Sequence, residues 1–539
     1  MKFAHMFRKG LAFALAALMC LSLFTACGQA ASGSGGTAAS GSAADAGSAS
    51  GETSAAAVQK SDETLTVILE SEPIALTNLN NPISSVTFPE AIGDSLLRYN
   101  HETKSTDLSL ASGYEMIDET HYRFTLREDA VYADGTPVTA ADVLYSFRQY
   151  KDTGSQDFVN IDVDNCVVED DHTFVLALTQ YFAGWEFCIS EGNSAIYSEK
   201  AVEEAGGLDA PLFAPVGCGR YQVSEWVPGE YLLLERNENY WDPDYTGYYK
   251  YIKFMFVGDS ASRVMSVRSG DADIANRIST ADYISLQNDP VAYGWAYDCG
   301  VCNQLFFNCE TGPCTDVKLR EALCYAIDPE GVNAVMNLGT GEVAQGLWSA
   351  SFPYYRDYYG KQSLYDPEKA KEMLAANGYD NGLVLDCLVG TNFKDAATVV
   401  QENLRQVGVT MEISVQESAT FSEMSTGGEY DIIIGNNAIS SLNSNAFNQI
   451  DPAKIGVAAY NIRVDTPELT QAIVDANSSD EATREKGFDE IYDIVLGQYC
   501  LLGLCNGNKY MAVRNGITGL KVGTRMGYVD VTECHPETA

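Results

Sequence analysis

Histidine and cysteine are among the side chains of this chain that could bind a metal ion or act as nucleophiles. The sequence holds 14 cysteines and 5 histidines. Cys299 and Cys302 have the Cys-x-x-Cys spacing of half a zinc site. A zinc site of this type needs a second half, and no further Cys-x-x-Cys or nearby histidine supplies one. The sequence therefore predicts no metal site and assigns the cysteines to structural thiols or disulfides.

Disulfides could form among these cysteines if the protein works outside the cytoplasm. Two of the 14 precede residue 28, so 14 − 2 = 12 belong to the rest of the chain. The pairs closest in sequence are Cys309 with Cys314 and Cys299 with Cys302. Spacing alone does not decide between pairing and free thiols.

Catalytic motifs are equally scarce. His-Glu-x-x-His and histidine pairs at helical spacing do not occur, and Gly-x-Ser-x-Gly does not occur from Asp62 onward. We therefore predict that the protein is not an enzyme and carries no cofactor.

The stretch from Pro215 to Trp241 predicts a β-hairpin followed by a loop. Gly217-Cys218-Gly219 forms a glycine-rich turn, apolar residues alternate from Tyr221 to Trp226, and Pro228-Gly229 forms a second turn. This pattern by itself describes only local structure.

A second stretch predicts a strand followed by a helix. Residues Tyr122–Arg127 alternate between apolar and polar side chains, as in a half-buried strand. Thr139 and Asp142 have the spacing of a capping box, and Val143 and Phe147 lie four residues apart on one helix face. We expect a helix that begins after Thr139 and packs this face on the strand.

Composition limits the partners of the chain. It contains 34 Lys and Arg against 74 Asp and Glu, a net charge of −40, which excludes nucleic acid as a partner. Aromatic residues make up 11% of the chain, enough for a packed core with rings left to line a cleft. Its 539 residues predict two or three domains.

The N-terminus predicts a processing signal and a tether. Basic residues at positions 2, 8 and 9 precede an apolar run, Leu11–Phe24, and Thr25-Ala26 lead into Cys27. The pattern resembles a bacterial lipoprotein signal peptide with Cys27 as the lipid-modified residue, although Phe24 stands where leucine is usual. From Gly28 to about Lys60 the chain is mainly Gly, Ser and Ala, the composition of a flexible linker.

Six motifs in order resemble one family, the solute-binding proteins of bacterial ABC importers for oligopeptides, dipeptides and nickel, family 5. The resemblance extends from about Thr64 to Val529. The six motifs are Leu96–Tyr99, Arg123–Tyr150, Pro215–Trp241, Gly270–Ile274, Thr315–Asp328 and Tyr365–Tyr379.

The resemblance implies an α/β, two-lobed fold of the periplasmic-binding-protein type (type II, large cluster C form), in which lobe one is split into two subdomains. Two segments, near Cys299–Phe307 and Leu501–Lys509, are expected to cross between the lobes. The implied domains are a signal peptide 1–26, a tether 27–61, lobe one 62–300 with an inserted subdomain at about 90–210, lobe two 301–505, and a C-terminal return to lobe one 506–539.

The resemblance also implies a ligand between the lobes. Peptide binders of the family commonly hold the peptide amine with an aspartate after the strand that begins here at Asp431, but Gly435–Asn445 contains no acid. Lys394 is the one cation near the place of the usual carboxylate anchor. A pocket of Asn, Ser and aromatic residues would suit a sugar, a modified peptide or a neutral peptide-like compound. The expected ligand-binding residues are Asn80, Asn81, Ile83, Ser84, Asn303, Trp348, Phe352, Lys394, Gly435, Asn436 and Asn437.

The sequence thus predicts a monomeric, lipid-anchored, extracytoplasmic receptor that captures a small solute, most simply a peptide-like one, and delivers it to ABC permease subunits. Two alternatives remain open: a sensory or protein-interaction module on the same fold, and a binder of an oligosaccharide or a nickel complex.

Overall fold

The computed structural model describes residues 60–80, 89–190, 194–245, 247–344, 346–359, 363–439, 442, 445–522 and 529–537. Four predicted functional residues, Cys27, Asn81, Ile83 and Ser84, lie outside these ranges.

Most described strands belong to one large sheet and one small one. In chain order they are β1 Thr64–Leu69, β2 Leu97–Asn100, β3 Ser105–Leu108, β4 Ala111–Asp118, β5 His121–Leu126, β6 Val167–Asp170, β7 Thr173–Ala177, β8 Tyr221–Val227, β9 Tyr231–Arg236, β10 Tyr251–Phe256, β11 Ile274–Ala275, β12 Ala292–Phe307, β13 Val384–Gly390, β14 Thr410–Gln416, β15 Ile432–Ala438, β16 Leu501–Arg514, β17 Ile517–Thr518, β18 Lys521–Val522, β19 Val529–Asp530 and β20 His535–Pro536.

Among the residues described, the structure contains no helix with the length and apolar character needed to cross a membrane. Shorter helices cover the sheets. In chain order they are α1 Pro89–Ile92, α2 Ala140–Asp152, α3 Trp185–Cys188, α4 Glu199–Glu204, α5 Ser260–Ser269, α6 Thr280–Ser285, α7 Val317–Ala326, α8 Pro329–Met336, α9 Pro367–Ala376, α10 Lys394–Gln406, α11 Ser418–Gly427, α12 Pro467–Ala476 and α13 Glu481–Val495.

A ten-stranded mixed sheet runs through the molecule in the order β14-β13-β15-β12-β16-β11-β1-β10-β9-β8. The two longest strands, β12 and β16, pair antiparallel at its centre. Their pairing is irregular between Asp298 and Val301, where Gly300 adopts a left-handed φ of 70°. The centre of the sheet thus joins two halves, and the glycine permits the bend between them.

Each half of this sheet has its own core. In the half that contains β1, Val67 packs on one face and Ile68 on the other. In the half that contains β15, Ile432 and Ile433 likewise face opposite sides and pack in two different clusters. Strands that are buried on both faces are apolar throughout, as the run Ile432–Ile434 is. The predicted two-lobed α/β fold is confirmed.

A smaller antiparallel sheet, β4-β5-β7-β6, packs against α2. Phe124 and Phe147, from the predicted strand and helix, are both fully buried there. The Asp142 carboxylate accepts hydrogen bonds from the Thr139 backbone N–H and hydroxyl, both at 2.8 Å. The strand, the helix start and its apolar face are therefore as predicted.

The predicted hairpin is present as β8 and β9, which pair antiparallel at the edge of the large sheet. Its glycine-rich turn lies against α1: the backbone N–H of Gly219 donates to the Ile92 carbonyl at 3.1 Å. A Cβ at Gly217 would lie 1.8 Å from that same oxygen, so the turn depends on glycine.

The 12 cysteines that follow the tether are all free thiols in the structure, and all but Cys309 are buried. The two pairings closest in sequence, Cys309 with Cys314 and Cys299 with Cys302, are therefore not formed. Burial among apolar side chains makes most of these thiols small hydrophobic core residues.

Candidate functional site

Strand pairing brings two of the predicted segments together at the centre of the large sheet. Asn303 on β12 lies directly opposite Asn436 on β15, and Asn437 lies opposite Cys302. On its other side, Asn303 pairs with Cys505 of β16, and its Nδ2 lies 3.6 Å from that sulfur. This pairing forms an amide-rich group, here called the amide surface, in which Asn303 and Asn437 are buried; its contact with a ligand stays a prediction.

Several side-chain amides near this position lack a complete set of partners. The Gln304 side chain donates to the Leu347 carbonyl at 2.8 Å, but its own oxygen is buried without a donor in the described structure. The side-chain oxygens of Gln449 and Asn506 are in the same state. Such acceptors favour partners that donate hydrogen bonds.

Gly435 has a packing role. Its Cα lies against the Tyr460 ring, and a Cβ at this position would be 1.9 Å from Tyr460 Cε1. Tyr460 also stacks at an angle on Phe421. The close contact explains why glycine stands between the buried isoleucines of β15 and the two asparagines.

Trp348 and Phe352 are core residues in this conformation. They are 1% and 0% exposed, and their rings stack with centroids 4.5 Å apart. Phe488 packs edge-on against both rings, and Trp348 Nε1 donates to the Ala446 carbonyl at 3.2 Å. Their burial favours a role in packing over the predicted contact with ligand.

The remaining predicted residues lie apart from this amide surface. Lys394 is exposed at the first turn of α10. Asn80 is partly buried, and its Nδ2 donates to the Leu208 carbonyl at 3.0 Å. The structure does not bring either residue into contact with Asn303 or Asn436.

A cavity of about 520 Å³ lies in the half of the molecule that contains β1. Its walls come from the β2–β3 hairpin and the residues before it, from Ser190, from Arg220, from Trp295 on β12, and from β18 and β19 near the C-terminus. Sequence reasoning missed this site. Its residues are scattered over more than 400 positions, from Glu90 to Glu533, and share no local motif.

Asp94 is the fully buried acid of this cavity. Arg98 Nη2 donates to it at 3.0 Å, and the Ser109 hydroxyl donates at 2.6 Å. Burial raises the pKa of Asp94, but Arg98 and Ser109 outweigh it and leave the pKa below its ordinary value. Further donors to its carboxylate are the Ser95 backbone, the Tyr240 hydroxyl and the Trp241 indole.

Arg220 joins the cavity wall to the C-terminal segment. Its side chain is 10% exposed and forms ion pairs with Asp530 at 2.8 Å and Glu533 at 3.0 Å. The Thr532 hydroxyl accepts a further hydrogen bond at 3.0 Å, and the guanidinium lies over the Tyr245 ring. Burial raises the pKa of Asp530, but the Arg220 charge outweighs it and the pKa is lowered.

The lining of the cavity is acidic overall, because it contains six acidic side chains and three basic ones. Trp295 adds a half-buried aromatic surface to this lining. An acidic cavity lined by a partly exposed aromatic ring suits a positively charged group, through Coulomb attraction and cation–π contact. The acids are Glu90, Asp94, Glu102, Asp107, Asp530 and Glu533, and the bases are Arg98, Arg220 and Lys521.

The hairpin that borders the cavity also contacts the other half of the molecule. Lys104, at the β2–β3 turn, donates through Nζ to the carbonyls of Ala350 at 2.7 Å and Phe352 at 3.3 Å. Burial lowers the pKa of Lys104, although Asp298 acts in the opposite direction. Lys104 thus connects the cavity wall to the far half of the molecule.

The buried acids make stability depend on pH. The folded-state pKa values of Asp94 and Asp530 lie below their unfolded values, near 3.9. Their contribution is therefore fully present above about pH 4 and is lost as the pH falls through the folded-state values. We expect the melting temperature to fall steeply below about pH 4.

Thermal unfolding between pH 2 and pH 7 tests this dependence. The Asp94→Asn variant should lose part of the acid slope, whereas Asp380→Asn, which removes an exposed surface carboxylate, should keep it. An unchanged slope in Asp94→Asn would contradict the assignment.

Comparison with known sequences gives one family. A family model described as bacterial extracellular solute-binding proteins, family 5 Middle, matches residues 107–452. The probable D,D-dipeptide-binding periplasmic protein DdpA of Escherichia coli (strain K12) is 24% identical over 464 residues, 82% of this chain and 87% of that protein. The periplasmic oligopeptide-binding protein OppA of Salmonella typhimurium is 26% identical over 361 residues, 60% of this chain and 65% of that protein.

Solved structures share the fold. The periplasmic murein tripeptide binding protein MppA, in its unliganded open form, superimposes with a TM-score of 0.77 at 20% identity and covers 89% of this chain and 98% of its own. A dipeptide-binding protein from Pseudoalteromonas sp. SM9913 in complex with Met-Leu has a TM-score of 0.66 at 18% identity, over 88% of this chain and 100% of its own.

Proposed function

Because the chain belongs to the bacterial extracellular solute-binding proteins of family 5, which are substrate-binding proteins and not enzymes, we propose that it captures a small peptide-like solute with a positively charged group and delivers it to an ABC permease. The observation that carries the ligand class is the acidic cavity beside Trp295. Its volume of about 520 Å³ lies within the usual range for small-molecule sites.

The charge of the cavity supports one of the ligand classes that the sequence left open. The amide surface at Asn303 and Asn436 has no charge, which alone would suit a neutral solute. The cavity adds an excess of three carboxylates over basic groups, and this excess attracts an ammonium group and repels a free carboxylate. The amine of a peptide, or a basic side chain, therefore fits the cavity better than a neutral sugar.

Closure of the two lobes would turn binding into a signal for the permease. The bend at Gly300 in β12 provides a hinge, and Lys104 provides a contact across the lobes. A solute that binds the closed arrangement more tightly shifts the population toward it. We propose that the lobes comprise residues 62–300 with 506–539 and residues 301–505, and the separate cores of the two sheet halves support this division.

Attachment to the membrane belongs to the same proposal. The apolar run before Cys27 and the Gly, Ser and Ala segment after it support a lipid anchor with a flexible tether. Curated relatives carry the word periplasmic in their names, which supports a position outside the cytoplasm. Mass spectrometry of the membrane fraction would detect the lipid on Cys27.

A ligand screen tests the function. We expect short peptides with a free amine or a basic side chain to raise the melting temperature, and native mass spectrometry to detect a bound solute. Neutral oligosaccharides, nickel complexes and N-acetylated acidic peptides should have no effect. Stabilisation by a neutral sugar instead of an amine would reject the cationic ligand class.

Trp295 provides the sharper test. Trp295→Ala should weaken binding of the peptide found in the screen about tenfold, since an aromatic contact with a cation contributes about 1 to 2 kcal/mol. Isothermal titration calorimetry gives the ratio. Trp226→Ala is the matched control, because Trp226 lies on the edge strand β8, is also partly exposed and does not line the cavity. Equal affinities for Trp295→Ala and wild type would show that the solute binds elsewhere.

A further inference from the structure

Two cysteines lie where the chain enters and leaves the lobe formed by β13–β15. Cys309 follows the end of β12, and Cys500 immediately precedes β16. The two strands are antiparallel, with Phe306 opposite Leu501, and the Phe307 N–H donates to the Cys500 carbonyl at 3.1 Å. The entry and exit points of the lobe are therefore adjacent.

The two cysteines pack in the same hydrophobic cluster. Cys500 is a core member of this cluster and Cys309 packs against it, and each thiol shifts the pKa of the other. Cys500 is fully buried, whereas Cys309 is partly exposed, so one member of the pair is open to reagents in solution. The Sγ of Cys309 lies 3.7 Å from the Phe307 carbonyl oxygen, which keeps it beside the strand end.

Arg320 places a positive charge beside this pair. It is 4% exposed, and in the described structure its hydrogen bonds go to main-chain carbonyls, among them those of Gln498 at 2.8 Å and Cys314 at 2.8 Å. No carboxylate from the described residues forms an ion pair with it. The Cys309 thiol and the Arg320 charge lower the pKa of Cys500 against the effect of burial, whereas the contact with Cys500 raises the pKa of Cys309.

We propose that Cys309 and Cys500 form a reversible disulfide that closes residues 309–500 into a covalent ring. A small disulfide from the surroundings, RSSR, first exchanges with the partly exposed Cys309, which forms a mixed disulfide and releases one RSH. The Cys500 thiolate then attacks the Cys309 sulfur, and the second R group leaves as a thiolate that takes the proton of Cys500. Both cysteines are oxidised, and one RSSR is reduced to two RSH.

Exposure to solvent explains why we expect this pair to react and the fully buried cysteines not to react. Cys387 is fully buried, and burial raises its pKa to about 12. Cys324 is also fully buried, and its pKa is raised for the same reason. Burial closes Cys387 and Cys324 to reagents, whereas Cys309 is partly exposed, so exchange should begin at Cys309.

The experiment uses the reduced full chain incubated with oxidised glutathione. Intact mass should show the loss of two hydrogens, and peptide mapping should show a Cys309–Cys500 crosslink. The melting temperature should rise by about 5 °C, because the crosslink restricts the unfolded chain, and dithiothreitol should reverse the rise. A crosslink between other cysteines, or no crosslink, overturns the proposal.

Single variants test the order of the two steps. Cys500→Ser should stop at glutathione bound to Cys309, Cys309→Ser should not react, and Cys387→Ser should behave as wild type. A stable glutathione adduct on wild-type Cys309 would overturn the proposal. If a variant does not fold, alkylation of wild-type Cys309 with iodoacetamide before oxidation should block the crosslink, and a crosslink formed after alkylation would equally overturn it.

Discussion

Replacing Arg220 with methionine is expected to lower the free energy of unfolding by about 3 to 5 kcal/mol. The change leaves Asp530, which is 18% exposed, and Glu533 without their shared cation. A buried carboxylate without a partner has a high desolvation cost, and the C-terminal segment also loses its attachment to the residue before β8. Chemical denaturation followed by circular dichroism measures the effect.

The matched control is Arg123→Met. Arg123 also contacts two carboxylates, Glu115 and Glu169, but its side chain is 37% exposed. Exposed ion pairs contribute about 0 to 1 kcal/mol, so this variant should be close to wild type. Similar losses for the two variants would show that burial is not the source of the Arg220 effect. Adding Asp530→Asn to Arg220→Met should recover part of the lost stability, since the unpaired charge is then removed.

Gly217→Ala is expected to be the second most damaging change, with a loss of about 3 kcal/mol. The added Cβ would lie 1.8 Å from the Ile92 carbonyl oxygen and 2.8 Å from its carbon, and neither backbone atom can turn aside as a side chain would. Because α1 leads into the cavity wall at Gly93 and Asp94, the shift should weaken solute binding as well.

Gly113→Ala serves as the control for this prediction. A Cβ at Gly113 meets no atom within 4 Å, and its backbone does not require glycine. Thermal unfolding should therefore place Gly113→Ala within about 0.5 kcal/mol of wild type. If Gly217→Ala unfolds at the wild-type temperature, the close approach of the turn to α1 is wrong.

Local patterns predicted the elements well. The β8–β9 hairpin follows from alternation between two turns, and the start of α2 follows from the spacing of Thr139 and Asp142, because both signals act over a few residues. The α/β two-lobed fold followed from the resemblance to one family, which rests on six motifs in a fixed order. Each motif describes a local unit such as a hairpin or a helix start.

The candidate site was less accessible from the sequence. Asn303 and Asn436 could each be named, but that they face each other depends on the register of β12 and β15. The family resemblance places Trp348 in a cleft-facing segment, but it lies in the core because Phe352, Phe447 and Phe488 surround it. Sequence patterns do not distinguish a buried ring from one that lines a cavity, since both are apolar.

The sequence by itself determined the family, the two-lobed α/β fold and the local elements, because these depend on residue order and short-range periodicity. Only the tertiary structure decided the acidic cavity and the contact between Cys309 and Cys500. Both features depend on which distant segments meet across the sheet. Strand register and the crossing of the chain decide which segments meet, and no local sequence pattern contains this information. The same reason explains why Cys309 and Cys314, neighbours in sequence, remain unpaired.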